Sequence, residues 1–236
     1  MHEDTITPAP APDRTARDGT AHEQKDPAQR ARLWRRRLFE AEAGLTRFVA
    51  ETRAGSHLNE LLKVKREIFE SLPAAAGEDQ WKSAFFRAQA LMEKYVVGHF
   101  GHGALKAWAA SNSAVYDAID AEPRHDALVP LERLAGQAAL YESDTRWRER
   151  GRDRAVLQIR HCAIWDYREL ARNRGVTITL RSPCEYCVPA TTAMITHKGL
   201  SAGHELTEDE SGHGCVWTAS RGLDGQTTED GHSAGG

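Results

Sequence analysis

The hydrophobic period of this chain is helical up to about residue 155 and first changes there, and that change limits the folds open to it. From Ala28 to Ser71 apolar residues recur every three or four positions, through Leu33, Leu38, Phe39, Leu45, Phe48 and Val49, then Leu58, Leu61, Leu62, Val64 and Ile68. That spacing keeps one helix face apolar, and Gly55-Ser56 divides the stretch into two helices. Trp81 to Val97 and Gly101 to Ile119 repeat the signal, and Leu131 to Glu142 follows a connection bracketed by Pro123 and Pro130. At Ala155 the run AVLQIRHCAIW alternates and then turns continuously apolar, which predicts a strand entering a helix at about Cys162, ended by Gly175. VTITL reads as a short strand or an extended link. A further helix is expected from Cys184 to about Lys198, with Pro189 in its first turns or at a kink. LSAGHEL and GCVWTAS, separated by TEDESGH, read as a closing hairpin. Helices first and strands later give an α+β chain: a helical N-terminal half with a C-terminal antiparallel sheet packed against helices.

Of the 236 residues, 1–27 and 221–236 lack an apolar period and are expected as disordered tails. Between them, 28–79 reads as a helical extension and 80–220 as the α+β domain. The formal charge is -3, but the two tails carry -3 and -2, leaving +2 for the rest. So weak a positive balance argues against a nucleic-acid partner. No run approaches the roughly 20 apolar residues of a membrane helix, which argues against a membrane role. The acidic, proline-bearing start lacks the basic and apolar segments of a secretory signal, so a cytoplasmic location and reduced cysteines are expected.

All four cysteines, Cys162, Cys184, Cys187 and Cys215, fall in the last third beside His161, His197, His204 and His213. The C-x-x-C pair at 184 and 187 has zinc-ligand spacing, and His204 and Cys215 sit on opposite arms of the hairpin. Cys187, His204 and Cys215 are therefore candidate metal ligands, with zinc or no cofactor as the alternatives. The opposing reading treats these thiols as small apolar core groups. Cys162, placed at a helix start, would have its thiolate favoured by backbone N–H groups, and Asp166 one turn later shares its face. His161 is the remaining nearby base.

His99 and His102, in GHFGHGALKAW, lie among glycines between two helices, where a ligand could approach the backbone; an interhelical turn is the simpler account. Glu208, Asp209 and Glu210 lack the alternation of a calcium loop. ARLWRRRLF and RWRERGRDR are basic but are read as solvated faces. No P-loop, dinucleotide fingerprint, nucleophile elbow or H-E-x-x-H helix is present.

RHCAIWDYREL, PCEYC and LSAGHELTEDESGHGCVW, in that order and spacing, resemble the L-2-amino-thiazoline-4-carboxylic acid hydrolase family, itself similar to the 4-vinyl reductase domain. A weaker similarity through LMEKYVVGHFGHGALKAW extends it to about residues 80–220. The resemblance implies a thiazoline-hydrolase-like domain with Cys162, Cys187 and Cys215 around one small-molecule pocket. Pro189 and Ala190 stand where that family carries an acid, which implies a diverged activity such as cyclisation or elimination in a biosynthetic pathway. On this reading the chain is an enzyme acting on an amino-acid-like substrate, by water addition to a cyclic C=N bond. Asp166, Cys162 and His161 would be catalytic, and Cys187, His204, His99 and His102 would bind substrate. The alternative is a non-catalytic, sensor-like binding domain or the supporting subunit of a heteromer, and homo- or hetero-oligomers both stay open.

Overall fold

The computed structural model of the protein describes residues 26–222, apart from 53–54, 75–76, 120–123, 174, 176 and 210–211. The expected tails lie outside the described residues except at 26–27 and 221–222. Helix α1 (Pro27–Glu51) opens with Asp26, whose carboxylate accepts the Ala28 N–H at 3.4 Å, and with proline at its first position. The break at 55–56 is a single 3-10 turn, Gly55–His57, leading into α2 (Leu58–Glu70). Between α3 (Glu78–Phe100) and α4 (Leu105–Ile119) stands Gly101 at φ 76°, a left-handed conformation that glycine adopts without steric cost. Helix α5 (Leu128–Leu140) begins earlier than the sequence pattern suggests. Pro130 occupies its first turn, where a missing N–H has no helical partner to lose.

The basic stretch at 144–150 is a strand, β1 (Asp144–Arg150), which pairs antiparallel with β2 (Arg154–His161). Its arginines find local partners: Arg148 donates to Gln158 at 3.1 Å, and Arg150 meets Glu132 at 2.6 Å. After α6 (Ala163–Asn173), residues 177–179 of VTITL form no ladder and lead to α7 (Cys184–His197), which continues through Pro189. The closing hairpin is β3 (Ser201–Asp209) and β4 (Gly212–Ser220). The four strands form one antiparallel sheet in the order β1-β2-β4-β3. The architecture is α+β, with the sheet in the C-terminal part packed against helices.

Alternation along the strands divides the sheet into two faces. Register places Trp147, Leu157, Trp217 and His204 in one row across it, and Ile159, Cys215 and Leu206 in the next. Helices α5 and α7 cover this inner face, and α1 and α4 pack behind them. Helices α1 and α2, within the expected 28–79 extension, contribute residues to the helical core. Trp34 of α1 is fully buried, with its ring 5.4 Å from Phe85 of α3 and 5.2 Å from Tyr141 after α5. The apolar stripe of α1 is too wide for α2 to cover, so it becomes the centre of the helical core. Helices α1 and α4 touch at Gly44, where a Cβ would stand 2.9 Å from Asn112 Cα. Among the described residues no helix is long and apolar enough to cross a membrane.

Candidate functional site

A cavity of about 700 Å³ lies between the inner face of the sheet and the helices. The two packed cores do not meet completely there. Ile159, Cys215 and Trp217 form its floor, α6 and the start of α7 one wall, and α1, α3 and α5 the opposite side. This size is typical of small-molecule sites.

All four cysteines line this one cavity, although they come from three separate segments of the chain. Cys162 precedes α6, Cys184 and Cys187 open α7, and Cys215 lies in β4. Each is held as a neutral thiol. Burial pushes Cys187 and Cys215 up to about 12, with the neighbouring thiols adding to the effect. At Cys162 burial also raises the pKa, while hydrogen bonding from the Ile164 and Trp165 backbone opposes it without prevailing. The thiolate expected at this helix start is therefore not favoured, because removal from water outweighs the amide dipoles. Cys184 is likewise raised by burial.

His204 projects from β3 onto the cavity, its ring 4.3 Å from Trp217, and burial lowers its pKa, so it is neutral at pH 7. Cys187, His204 and Cys215 thus line one cavity. Among the described residues, however, no group of three or more His, Cys, Asp or Glu side chains is gathered closely enough to hold a metal ion. The side chains as placed do not form a zinc site.

The other expected site residues lie elsewhere. His161 Nε2 and Asp166 Oδ2 are 2.6 Å apart, so strand and helix do bring them together, but neither lines the cavity. Asp166 is 61 % exposed. The residues of α6 that line the cavity are Ile164, Trp165, Tyr167, Arg168, Leu170 and Ala171, without Asp166. His99 ends α3 with its ring 4.9 Å from both His57 and Tyr95, and His102 Nδ1 lies 3.1 Å from Glu185 Oε2. Both are exposed and neither lines the cavity.

Several polar lining residues were not singled out from the sequence. Glu93 of α3 is buried and meets Arg168 Nη1 of α6 at 3.4 Å, and Gln89 donates to its other oxygen at 3.2 Å. Burial raises the Glu93 carboxyl pKa, with Arg168 opposing. Tyr186 of α7, its ring tilted 37° against Trp108 with centroids 4.4 Å apart, accepts from Asn112 Nδ2, and burial raises its phenol well above the ordinary range. Arg37 of α1 also faces the cavity, and its Nη2 donates to Tyr141 Oη at 3.0 Å. A signal for these residues existed: Arg37 falls on the stripe of Trp34, Ala41 and Leu45, and Glu93 on that of Phe85, Met92 and Val96. A charge on an apolar stripe is costly unless it is paired or faces a ligand.

Comparison with protein-family models, curated proteins and solved structures finds no match for the chain.

Proposed function

We propose that the protein is a small-molecule-binding domain whose ligand occupies the cavity between sheet and helices. The observation that carries this reading is the cavity itself: about 700 Å³ of space with largely apolar walls and a few polar groups directed inward. The chemistry of the walls favours binding over covalent catalysis. The thiols are held protonated, so none is a ready nucleophile. The His161–Asp166 pair lies outside the cavity.

A second reading keeps the hydrolase that the family resemblance suggests, and one observation favours it. His204 lines the cavity and is neutral at pH 7, so it can accept a proton from water attacking a cyclic C=N bond. A single experiment separates the two. The full chain is incubated with a panel of small carboxylic acids, including cyclic amino-acid derivatives, while melting temperature is followed and the compounds are recovered for mass spectrometry. A raised melting temperature with the compound unchanged is the outcome expected of a binding domain. Conversion that His204→Gln abolishes would transfer the protein to the hydrolase reading. If no compound shifts the melting temperature, the binding reading fails.

A further inference from the structure

Among the described residues, the lysines and arginines drawn largely out of water have carboxylate partners, with one exception. Arg168 meets Glu93 at 3.4 Å, Arg30 meets Glu78 at 2.6 Å, and Lys198 meets Asp117 at 2.7 Å. Arg37 has no carboxylate within ion-pairing distance among the described residues. One of its nitrogens donates to Tyr141 Oη, its guanidinium lies over the Phe85 and Tyr141 rings at 5.4 and 5.2 Å, and its Nε is buried without a hydrogen-bond partner. Two aromatic rings and one phenol do not replace the water that a guanidinium loses on burial. The same side chain lines the cavity. A planar fork of N–H donors is well suited to a carboxylate, which it can grip through two parallel hydrogen bonds.

The surroundings also limit the charge of what would bind. Tyr141 and Cys187, cavity-lining groups that interact electrostatically with Arg37, are both raised by burial and neutral at pH 7. Glu40, the carboxylate that acts electrostatically on Arg37, is paired with Arg36 and Arg133, and the cavity-lining Glu93 is paired with Arg168. Of the other charged residues that line the cavity, Glu93 and Arg168 offset each other and Arg87 and Lys94 are exposed, so Arg37 is the charge drawn out of water without a carboxylate partner, which suits a single carboxylate. Phe85, Ile159, Met194 and Trp217 supply apolar surface for the remainder of the ligand.

We propose that Arg37 anchors the carboxylate of a small organic acid whose apolar or aromatic body fills the cavity, an inference that rests on the binding reading above. The probes are matched carboxylates and primary amides carrying phenyl, naphthyl and octyl bodies, titrated calorimetrically into the full chain. The wild-type protein should prefer carboxylate over amide at least tenfold for a body that fits. Arg37→Met, which removes an unpaired buried cation and keeps an unbranched side chain, should lose that preference while still binding the amide. Arg37→Lys keeps the charge without the fork and should give an intermediate preference, which guards against misfolding of the first variant. If carboxylate and amide bind equally to the wild type, the anchor is refuted and the cavity reading stands. A preference that survives in Arg37→Met refutes the anchor as well. If neither series binds, both the cavity reading and the anchor fall.

Discussion

Replacing Gly44 by alanine tests the closest helix contact in the structure. An added Cβ would overlap Asn112 Oδ1, stand 2.5 Å from Asn112 Cγ and 2.9 Å from its Cα. The side-chain part of the clash can be relieved by rotating Asn112, but that removes its bond to Tyr186 and leaves a buried amide and phenol without partners. Such loss costs about 1–3 kcal/mol. The backbone part requires α1 and α4 to separate within a packed core, costing about another 1–3 kcal/mol. Alanine is the better helix former by about 1 kcal/mol, which offsets part of this. The net expectation is a destabilisation of about 3 kcal/mol, or roughly 6–12 °C in melting temperature for a protein of this size. Urea denaturation should show it as a lower midpoint with an unchanged slope. Gly136→Ala in α5 is the control, since a Cβ there meets nothing within 4 Å, and it should be neutral or stabilising by up to about 1 kcal/mol. If Gly44→Ala behaves like Gly136→Ala, α1 and α4 do not cross as described. Asn112→Ala added to Gly44→Ala should recover part of the loss, because it removes the two nearest side-chain atoms and leaves the backbone contact.

Trp34→Ala should cost about 3–5 kcal/mol, read by urea denaturation, because it empties the centre of the helical core and removes ring contacts to Phe85, Phe86 and Tyr141; a loss below 1 kcal/mol would contradict the placement of α1. The raised thiols make stability pH-dependent with a definite sign. Cys187 and Cys215 keep their protons up to about pH 12 in the folded state, whereas unfolded thiols lose them near 8.5. Their contribution is therefore fully present below pH 8 and is lost as pH rises from about 8.5 to 12. Denaturation measured across that range should show falling stability, and Cys187→Ala with Cys215→Ala should flatten the slope. Iodoacetamide at pH 8 should leave both thiols largely unmodified in the native protein and label them once urea is added. Asp166→Asn should change stability by less than about 1 kcal/mol and leave ligand affinity unchanged, since the His161–Asp166 pair is exposed and outside the cavity; a large loss of binding would mean that the ligand site extends across α6.

The local part of the fold was legible because it is encoded in neighbouring residues. Helical spacing located α1 to α4, the Gly55-Ser56 break marked the end of α1, and alternation located β2 and the closing hairpin. The gaps have local causes too. RWRERGRDR carries so many arginines that its alternation was hidden, yet it pairs with β2 because its long side chains can lie over the sheet with their charges in solvent. VTITL has strand-forming residues, but the described part of it has no strand to pair with, and without a ladder propensity alone does not make a strand. The site was less legible. Gathering of the cysteines was suggested by their positions along the chain, and the structure does line one cavity with all four. Their ionisation was not accessible, because it depends on burial produced by residues more than a hundred positions away.

The amino-acid sequence by itself determined the elements and the class of the fold, since hydrophobic period is a property of residues three, four or two places apart. Tertiary structure alone decided which side chains face the ligand space. His161 and Asp166 found each other on the outside, while Arg37, from a segment expected to be an extension, came to face Cys187 across about 150 residues of chain. The physical reason is that orientation around a helix axis is fixed by what packs against it. For α1 that is chiefly α3 and α4, whose position no local pattern records.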